Sequence, residues 1–201
     1  VSRIRALRGP NLWSRHTAIE AIVTCSADEQ GLSPQHPTEQ HLRRIFPEVG
    51  PFDTLRPGMP VTLAHALEKV TLGLQIQAGC PVSFSRTTPT EEAGVYQVVI
   101  EYSEETVGRK ALELAEKLCH AAISGLGFDL EASIAHLHEL DEDVRLGPST
   151  AAIVDAAMAR GIPVRRLTDG SMVQFGWGSK QRRIQAAETD TTSAIAESIA
   201  Q

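Results

Sequence analysis

Apolar residues recur along the chain with two different spacings, and each spacing predicts a different element. Alternation of apolar and polar positions is typical of a strand with one buried face, whereas a spacing of three or four is typical of an amphipathic helix. Four stretches of the first half predict strands: VSRIRAL at 1–7, AIEAIVTC at 18–25, CPVSFSRTT at 80–88 and GVYQVVIEYS at 94–103. The first breaks at RGPN, which predicts an edge strand that enters a turn, and the last two predict a hairpin.

The clearest helical spacing lies over residues 62–78. Its apolar stripe is formed by Leu63, Leu67, Val70 and Leu74. Thr62 can cap the start of this helix, and Gly79 suits its end. The segment 53–60 before it is rich in proline and predicts a loop.

Three more helices are predicted in the first part of the chain. A short helix starts at the cap candidate Thr38, and a long one is capped by Ser103 and closed by Gly125. Another opens at Asp129 and ends in an acidic tail. Strands and helices thus mix without strict alternation, which predicts an α+β fold with a small antiparallel or mixed sheet and packed helices.

The pattern changes near Leu146. A compact helix is predicted there, capped by Ser149 and ended by Gly161, and a short strand follows. Residues 171–187 then predict a hairpin, and residues 191–200 begin a final helix. We therefore predict a first domain over 1–147 and the start of a second over 148–201.

Composition narrows the function classes. The 201 residues are 42% hydrophobic and 22% charged, which is ordinary for a globular protein. The net charge of −6 argues against a general nucleic-acid binder, because phosphates demand a basic surface. No apolar run approaches the ~20 residues that span a bilayer. We therefore expect neither nucleic acid nor a membrane as partner.

The cysteines and the chain ends also carry expectations. Three cysteines at wide spacing fit neither a disulfide framework nor a zinc knuckle, so we expect a reducing cytoplasm. The sequence begins without Met and ends in mid-pattern. We expect it to be a piece of a longer protein.

One candidate catalytic pair lies on the helix over 62–78. His65 and Glu68 are followed by Lys69, and a second His in that place would complete H-x-x-E-H, a zinc peptidase signature. An ammonium has no lone pair for a metal, so Lys69 cannot serve as a ligand at neutral pH. Two other interpretations stay open. His65 is a polar residue at the surface or half-buried on an amphipathic helix, or Lys69 occupies the space of the metal and pairs with Glu68 or another acid.

Two other motifs predict no chemistry. His136 and His138, next to Glu139, stand two residues apart on a predicted helix and therefore point to different sides. GWGSK at 176–180 does not satisfy the phosphate-loop pattern and predicts a hairpin turn.

LRGPNLWS, residues 7–14, combines an arginine, a turn, Asn11 and Trp13 in a short irregular segment. Such a segment suits recognition of an extended peptide. A tryptophan that packs to anchor the first turn is the alternative.

Five stretches together resemble the cyanophycin synthetase family. They are RIRALRGPNLWS at 3–14, AHALEKVTLGLQIQAG at 64–79, RTTPTEEAGVYQVVIEY at 86–102, LGPST at 146–150 and MVQFGWGSKQRRIQAAETDTTS at 172–193. The resemblance runs nearly end to end and in order. It implies the N-terminal domain of such an enzyme over 1–147, followed over 148–201 by the first α/β elements of an ATP-grasp domain.

This resemblance implies a longer ATP-dependent ligase that adds aspartate and then arginine to a storage polymer, with ATP and magnesium as cofactors. We expect no cofactor, metal or ligase centre in this piece. The partners implied are the aspartate–arginine polymer, the remaining ligase domains and further copies of the full-length enzyme in a homo-oligomer. Primer use by that enzyme is left open.

The domain is expected to hold the polymer, and the candidate binding residues are Arg8, Asn11, Trp13, Arg15 and Arg86. The acidic stretch over 131–143 is a candidate complement for guanidinium groups. Some relatives carry H-x-x-E-H on the matching helix and trim the polymer. His65 and Glu68 match that motif, Lys69 replaces its second His, and Gly73 replaces a further acid.

Three functions therefore stay open. The preferred one is a polymer-binding domain without catalysis. The second is a hydrolase with another ligand set built on His65 and Glu68, and the third is an architectural domain that supports oligomer assembly.

Overall fold

The computed structural model describes residues 1–8, 11–50, 61–168, 170–186 and 188–189. It divides into two compact units, Val1–Asp143 and Val144–Gln201. Within the described residues there are five α-helices and two small antiparallel sheets. The predicted α+β class is confirmed. The assignment of residues 148–201 to an ATP-grasp domain stays a prediction, and the predicted loop over 53–60 and helix over 191–200 lie outside the described residues.

The first unit combines four strands with four helices. In chain order these are β1 Ser2–Leu7, β2 Ala18–Thr24, α1 Pro37–Ile45, α2 Leu63–Gln77, β3 Ser85–Pro89, β4 Val95–Glu101, α3 Glu105–Ser124 and α4 Leu130–Val144. The strands form one antiparallel sheet in the order β1-β2-β4-β3. The predicted edge strand and the predicted hairpin of β3 and β4 are confirmed.

The two faces of this sheet have different neighbours. Ile19 lies against α3, where a Cβ on Gly108 would come within 3.3 Å of its side chain. Thr87 donates a hydrogen bond to Glu68 of α2. We call the face that carries Ile19 and Thr87 the covered face. Side chains alternate along a strand, so the neighbouring positions point to the opposite, open face.

The covered face forms the core of the unit. Leu74 of α2 and Leu118 of α3 are fully buried, and Ile100 of β4 is 1% exposed. Gly108 allows α3 to approach closely, because a Cβ there would stand only 2.6 Å from the Cβ of Tyr102. Burial of apolar area at ~25 cal/mol per Å² makes this layer the main source of stability.

Helix ends agree with the sequence in some places and not in others. Thr62 precedes α2, and Gly79 and Gly125 follow α2 and α3 with φ of +89° and +66°, as predicted. Three predicted caps are wrong. Pro37 and Pro148 occupy first-turn positions, which suit proline, so His36 caps α1 in place of Thr38. Gly147, and not Ser149, occupies the N-cap position of the helix Pro148–Ala159. The residue before α3 is Glu104 and not Ser103.

The second unit is built around a small sheet. Helix α5, Pro148–Ala159, is followed by β5 Val164–Arg166, β6 Val173–Phe175, β7 Arg182–Gln185 and β8 Glu188–Thr189, paired in that order. The predicted hairpin of β6 and β7 is confirmed. No helix in the described parts of the chain has the length and apolar character needed to cross a membrane.

Candidate functional site

Glu68 lies in a polar cluster between α2 and β3. Its carboxylate is almost fully buried at 3% exposure. Oε1 accepts a hydrogen bond of 2.7 Å from the Ser85 hydroxyl, and Oε2 accepts one of 2.6 Å from the Thr87 hydroxyl. Both hydroxyls stand on β3 and point to the covered face. Glu68 therefore joins the helix to the sheet through both of its oxygens.

Lys69 supplies a positive charge to the same carboxylate. Its Nζ is 2.9 Å from Glu68 Oε1 and donates a 3.1 Å hydrogen bond to Ser85 Oγ. Of the interpretations left open by the sequence, the one in which Lys69 pairs with Glu68 is confirmed. The pair is partly shielded, since the lysine side chain is 30% exposed.

His65 is buried, so its expected place at a polar, exposed or half-buried side of the helix is wrong. Ten of the fifteen residues of α2 are buried, because the helix contacts β3, β4, α3 and the 3-10 turn Pro47–Val49. The periodic pattern marks one apolar stripe and cannot show the other neighbours of a helix enclosed on several sides.

The imidazole of His65 caps its own helix. The Thr62 backbone N–H donates to Nδ1 at 3.2 Å, and the Thr62 hydroxyl is 2.9 Å from the same atom. The ring also meets Tyr96 edge-on, with centroids 6.0 Å apart. Because Nδ1 accepts from a backbone N–H, the proton of the neutral ring lies on Nε2. His65 thus takes the place that glutamate holds in a capping box.

These residues do not fit a zinc ion. A tetrahedral site needs deprotonated nitrogen, sulfur or carboxylate donors. Here a lysine ammonium holds Glu68, and the Nδ1 lone pair of His65 is directed at the helix end. A further acid at Gly73 would force its neighbours to shift, since a Cβ there would stand 3.0 Å from the Val49 side chain and 3.2 Å from the Phe46 ring. Within the described ranges no three His, Cys, Asp or Glu side chains converge as metal ligands.

Asn11 and Trp13, two of the candidate binding residues, lie in the loop after β1, and Trp13 contacts Arg86 of β3. Asn11 Oδ1 accepts hydrogen bonds from the backbone N–H groups of Trp13 and Ser14, at 2.9 and 3.0 Å, and so shapes the turn. The guanidinium of Arg86 on β3 stands 5.8 Å from the centre of the Trp13 ring. Trp13 is half-buried and Arg86 is exposed, which makes a cation–π pair at the sheet end.

The other two candidate arginines stand apart from this pair. Arg8 forms a 2.7 Å ion pair with Glu105 at the start of α3, and Arg109 reaches the same carboxylate at 2.9 Å. The hydrogen bond from Arg8 lowers the pKa of Glu105, and Arg109 adds to this effect. Because of this ion pair, Arg8 connects the loop to the start of α3. Arg15, by contrast, is exposed.

A second group of polar side chains, on the open face, could not be found from the sequence. Arg5 of β1 donates to Glu20 of β2, and Gln97 of β4 donates to the same carboxylate. The hydrogen bond from Arg5 lowers the pKa of Glu20, against burial, which raises it. These residues are far apart in sequence, and only the strand register brings them into contact.

Two motifs behave as predicted. His136, His138 and Glu139 are exposed on α4. GWGSK forms the turn between β6 and β7 and includes a 3-10 turn, Gly178–Lys180, so no helix follows to cradle a phosphate. The acidic tail of α4 is exposed except for Asp141, which lies 3.7 Å from the Cys80 thiol.

Several known proteins are similar in sequence to this chain. Residues 46–124 match the family model described as the cyanophycin synthase-like N-terminal domain, a span that runs from the end of α1 to the end of α3. The matched region belongs to that domain family. The resemblance to cyanophycin synthetase drawn from the sequence is thereby confirmed.

The curated relatives extend the match along the chain. It is 37% identical over 212 residues to cyanophycin synthetase of Trichormus variabilis, covering 97% of this chain and 23% of that protein. It is 32% identical over 215 residues to the enzyme of Geminocystis herdmanii, covering 97% and 24%. The chain spans about a quarter of the length of these relatives. The similarity thus covers nearly all of this chain and about a quarter of each of these relatives.

Proposed function

We propose that this chain is the polymer-holding part of a cyanophycin synthetase and that it does not cleave the polymer. The observation that carries the proposal is the Lys69 ammonium, 2.9 Å from the Glu68 carboxylate at the position where a metallopeptidase needs an imidazole. Its charge repels a metal cation, and its hydrogen bond to Ser85 holds it in place. The carboxylate acts as a structural acceptor and not as a general base.

Polymer binding is supported by the mixed charge of the first unit. A polymer of aspartate and arginine carries carboxylates and guanidinium groups together, so it requires both signs of charge in its partner. Arg86 and Arg15 are exposed, as is most of the acidic tail of α4. Exposed pairs contribute only ~0.2–1 kcal/mol each, so affinity must come from several contacts along one polymer.

Ligation is assigned to the rest of the longer protein. We infer that ATP, magnesium and both amino-acid substrates bind outside this chain, and that oligomer contacts belong to the full-length enzyme. Accordingly, magnesium and ATP should leave the thermal midpoint of the isolated chain unchanged. A concentration-dependent rise would place a nucleotide site here, because a ligand that binds the native state raises its stability.

The direct test is to incubate the purified chain with short aspartate–arginine polymer segments. We expect salt-dependent association, since exposed charges are screened by ions, and no new polymer ends. Absence of association at low salt would refute polymer holding. Chelator-sensitive cleavage would refute the claim that this domain is not a hydrolase.

Elemental analysis separates the two readings of His65. Wild type and His65→Ala are purified side by side, and both should contain no more than trace zinc. Stoichiometric zinc that disappears in His65→Ala would revive the hydrolase with another ligand set. His136→Ala on the exposed face of α4 is the matched control, because its loss should change neither metal content nor stability.

A further inference from the structure

The open face of the four-stranded sheet carries polar and charged side chains in ordered rows. Antiparallel partners point to the same face, so the register places side chains of all four strands side by side. One row consists of Arg5, Glu20, Val99 and Arg86. The next row consists of Ser2, Ile22, Gln97 and Thr88. The first row thus carries charged groups beside Val99, and the second carries an amide and two hydroxyls beside Ile22.

One corner of the face is formed by Arg86 with Trp13. The indole lies under the guanidinium at 5.8 Å and fixes its position. No carboxylate among the described residues lies within ion-pair distance of Arg86. An exposed guanidinium that is held on an aromatic ring is suited to receive a carboxylate from outside.

The diagonally opposite corner holds a shallow groove with both signs of charge. Arg3 and Glu92 line it, together with the exposed residues Thr24 and Thr90 and the floor residue Val95. Arg3 has a positive φ of 49° at the irregular point of the β1–β2 register, which turns the edge strand there. Neither charge has an ion-pair partner in the described part of the chain.

We propose that the open face is the track on which the polymer lies, in extended form, from the Trp13–Arg86 corner to the Arg3–Glu92 groove. This rests on the proposed function. The guanidinium groups of Arg86 and Arg3 take carboxylates of the polymer, and Glu92 takes a guanidinium. Between the corners Arg5, whose side chain is 69% exposed although it pairs with the buried Glu20, offers the polymer a further positive charge.

The dimensions of the face match such a ligand. Arg86 stands in the row of Glu20 and the groove reaches the row of Thr24, which is about 14 Å along the strands at about 3.4 Å per residue. Three strand spacings of about 4.8 Å separate β3 from β1, so the diagonal across the sheet is about 20 Å. An extended chain of about six residues covers that length, since each residue spans about 3.3–3.6 Å. A segment of this size reaches both corners at once. Shorter segments contact only one corner and should bind more weakly.

The test removes one anchor from each corner without changing the net charge. Arg86→Gln and Glu92→Gln are combined in one variant, whose charge stays at −6 because the two changes cancel. The matched control is Glu113→Gln with Lys117→Gln, an exposed ion pair on α3, whose net effect on charge is also zero. Affinity for aspartate–arginine segments of about six repeats should fall about tenfold in the first variant and less than about twofold in the control.

A second measurement does not depend on these variants. The chain has two tryptophans, so Trp177→Phe leaves Trp13 as the only indole. Addition of polymer should change the Trp13 emission in a saturable way, with the same midpoint as binding. Oligo-aspartate of equal length should bind about tenfold more weakly, because it offers no guanidinium to Glu92 and is repelled by the net charge.

The outcomes separate this inference from the function on which it rests. Binding by wild type that is unaffected in the Arg86/Glu92 variant, or saturates without a change at Trp13, overturns the track and leaves polymer holding intact. Oligo-aspartate that binds as tightly as the mixed polymer also overturns it. Wild type that does not bind at low salt overturns both.

Discussion

Both faces of the four-stranded sheet hold a buried carboxylate from within the unit, Glu68 on the covered face and Glu20 on the open face, but the open face also carries exposed charges. On the covered face Glu68 receives Ser85, Thr87 and Lys69, so its oxygens are occupied from within the unit. On the open face Arg86, Arg3 and Glu92 are exposed. The difference teaches that residue type alone does not identify a site. A buried carboxylate that holds a helix to a strand is a structural group, whereas exposed and positioned charges remain available to a partner.

The largest effect on stability is expected when a buried side chain of the covered face is shortened to alanine. Ile19 and Ile22 stand on the same strand, but Ile19 is 1% exposed and Ile22 is half-buried on the open face. Ile19→Ala should lower the free energy of unfolding by about 2–5 kcal/mol, through lost burial and the cavity left behind. Ile22→Ala should cost about 1 kcal/mol. Urea unfolding of both variants measures the contrast, and equal losses would mean that the open face is packed like the covered one.

The next effect concerns the polar cluster. Glu68→Gln should destabilise the protein by about 1–3 kcal/mol, because a neutral amide cannot accept from all three donors and turns an NH₂ group toward one of them. Glu139→Gln on the exposed side of α4 should stay within about 0.5 kcal/mol. Thermal and urea unfolding test this. A Glu68→Gln variant as stable as wild type would show that the cluster is dispensable for the fold and would reopen a catalytic role for Glu68.

The sequence predicted most elements of this fold because their signals are local. The signals are the alternation in β1, the β-branched and aromatic residues of β3 and β4, the stripe of α2 and the glycines that end α2 and α3, and each is contained within a few residues. The family resemblance was also present in the sequence, since the matched stretches are continuous. The first residues of the helices were predicted less well than their ends. Pro37 and Pro148 define first turns, and reading the nearest Thr or Ser as the cap overlooked that signal.

What escaped prediction depends on contacts between distant residues. The burial of His65 follows from neighbours of α2 that its own pattern does not contain, including Phe46 and Val49 against Gly73. The row that joins Arg5 to Glu20 and runs on to Arg86 follows from strand register, which a shift of one residue would abolish. Among the candidate binding residues, Asn11 contacts Trp13 within one loop, whereas the contact of Trp13 with Arg86 joins residues far apart in sequence.

A smaller effect is expected at the start of α2, at the edge of the covered face. Thr62→Ala removes the hydroxyl that meets His65 Nδ1 and should cost about 0.5–2 kcal/mol, the usual range for loss of a helix cap. Thr62→Ser keeps the hydroxyl and serves as control. Urea unfolding measures both variants. If Thr62→Ala equals Thr62→Ser, the hydroxyl contributes nothing to the helix start, which is then held by the hydrogen bond from the Thr62 backbone N–H to His65 Nδ1.

The smallest effect is expected for the Arg5–Glu20 pair of the open face, through the pH dependence of stability. Arg5 holds the pKa of Glu20 below its ordinary value of 4.5, so the folded state binds this proton less readily than the unfolded chain. The stabilisation is therefore complete above that value and is lost as pH falls through the lower pKa of the folded state. In Arg5→Gln this contribution shrinks, and the loss of unfolding free energy between about pH 7 and about pH 3 should be shallower than in wild type. Arg44→Gln on the exposed side of α1 should retain the wild-type slope. Parallel curves for wild type and Arg5→Gln would show that the pair contributes nothing to stability, and Arg5 would then stand on the open face with its charge as available to a ligand as that of Arg86.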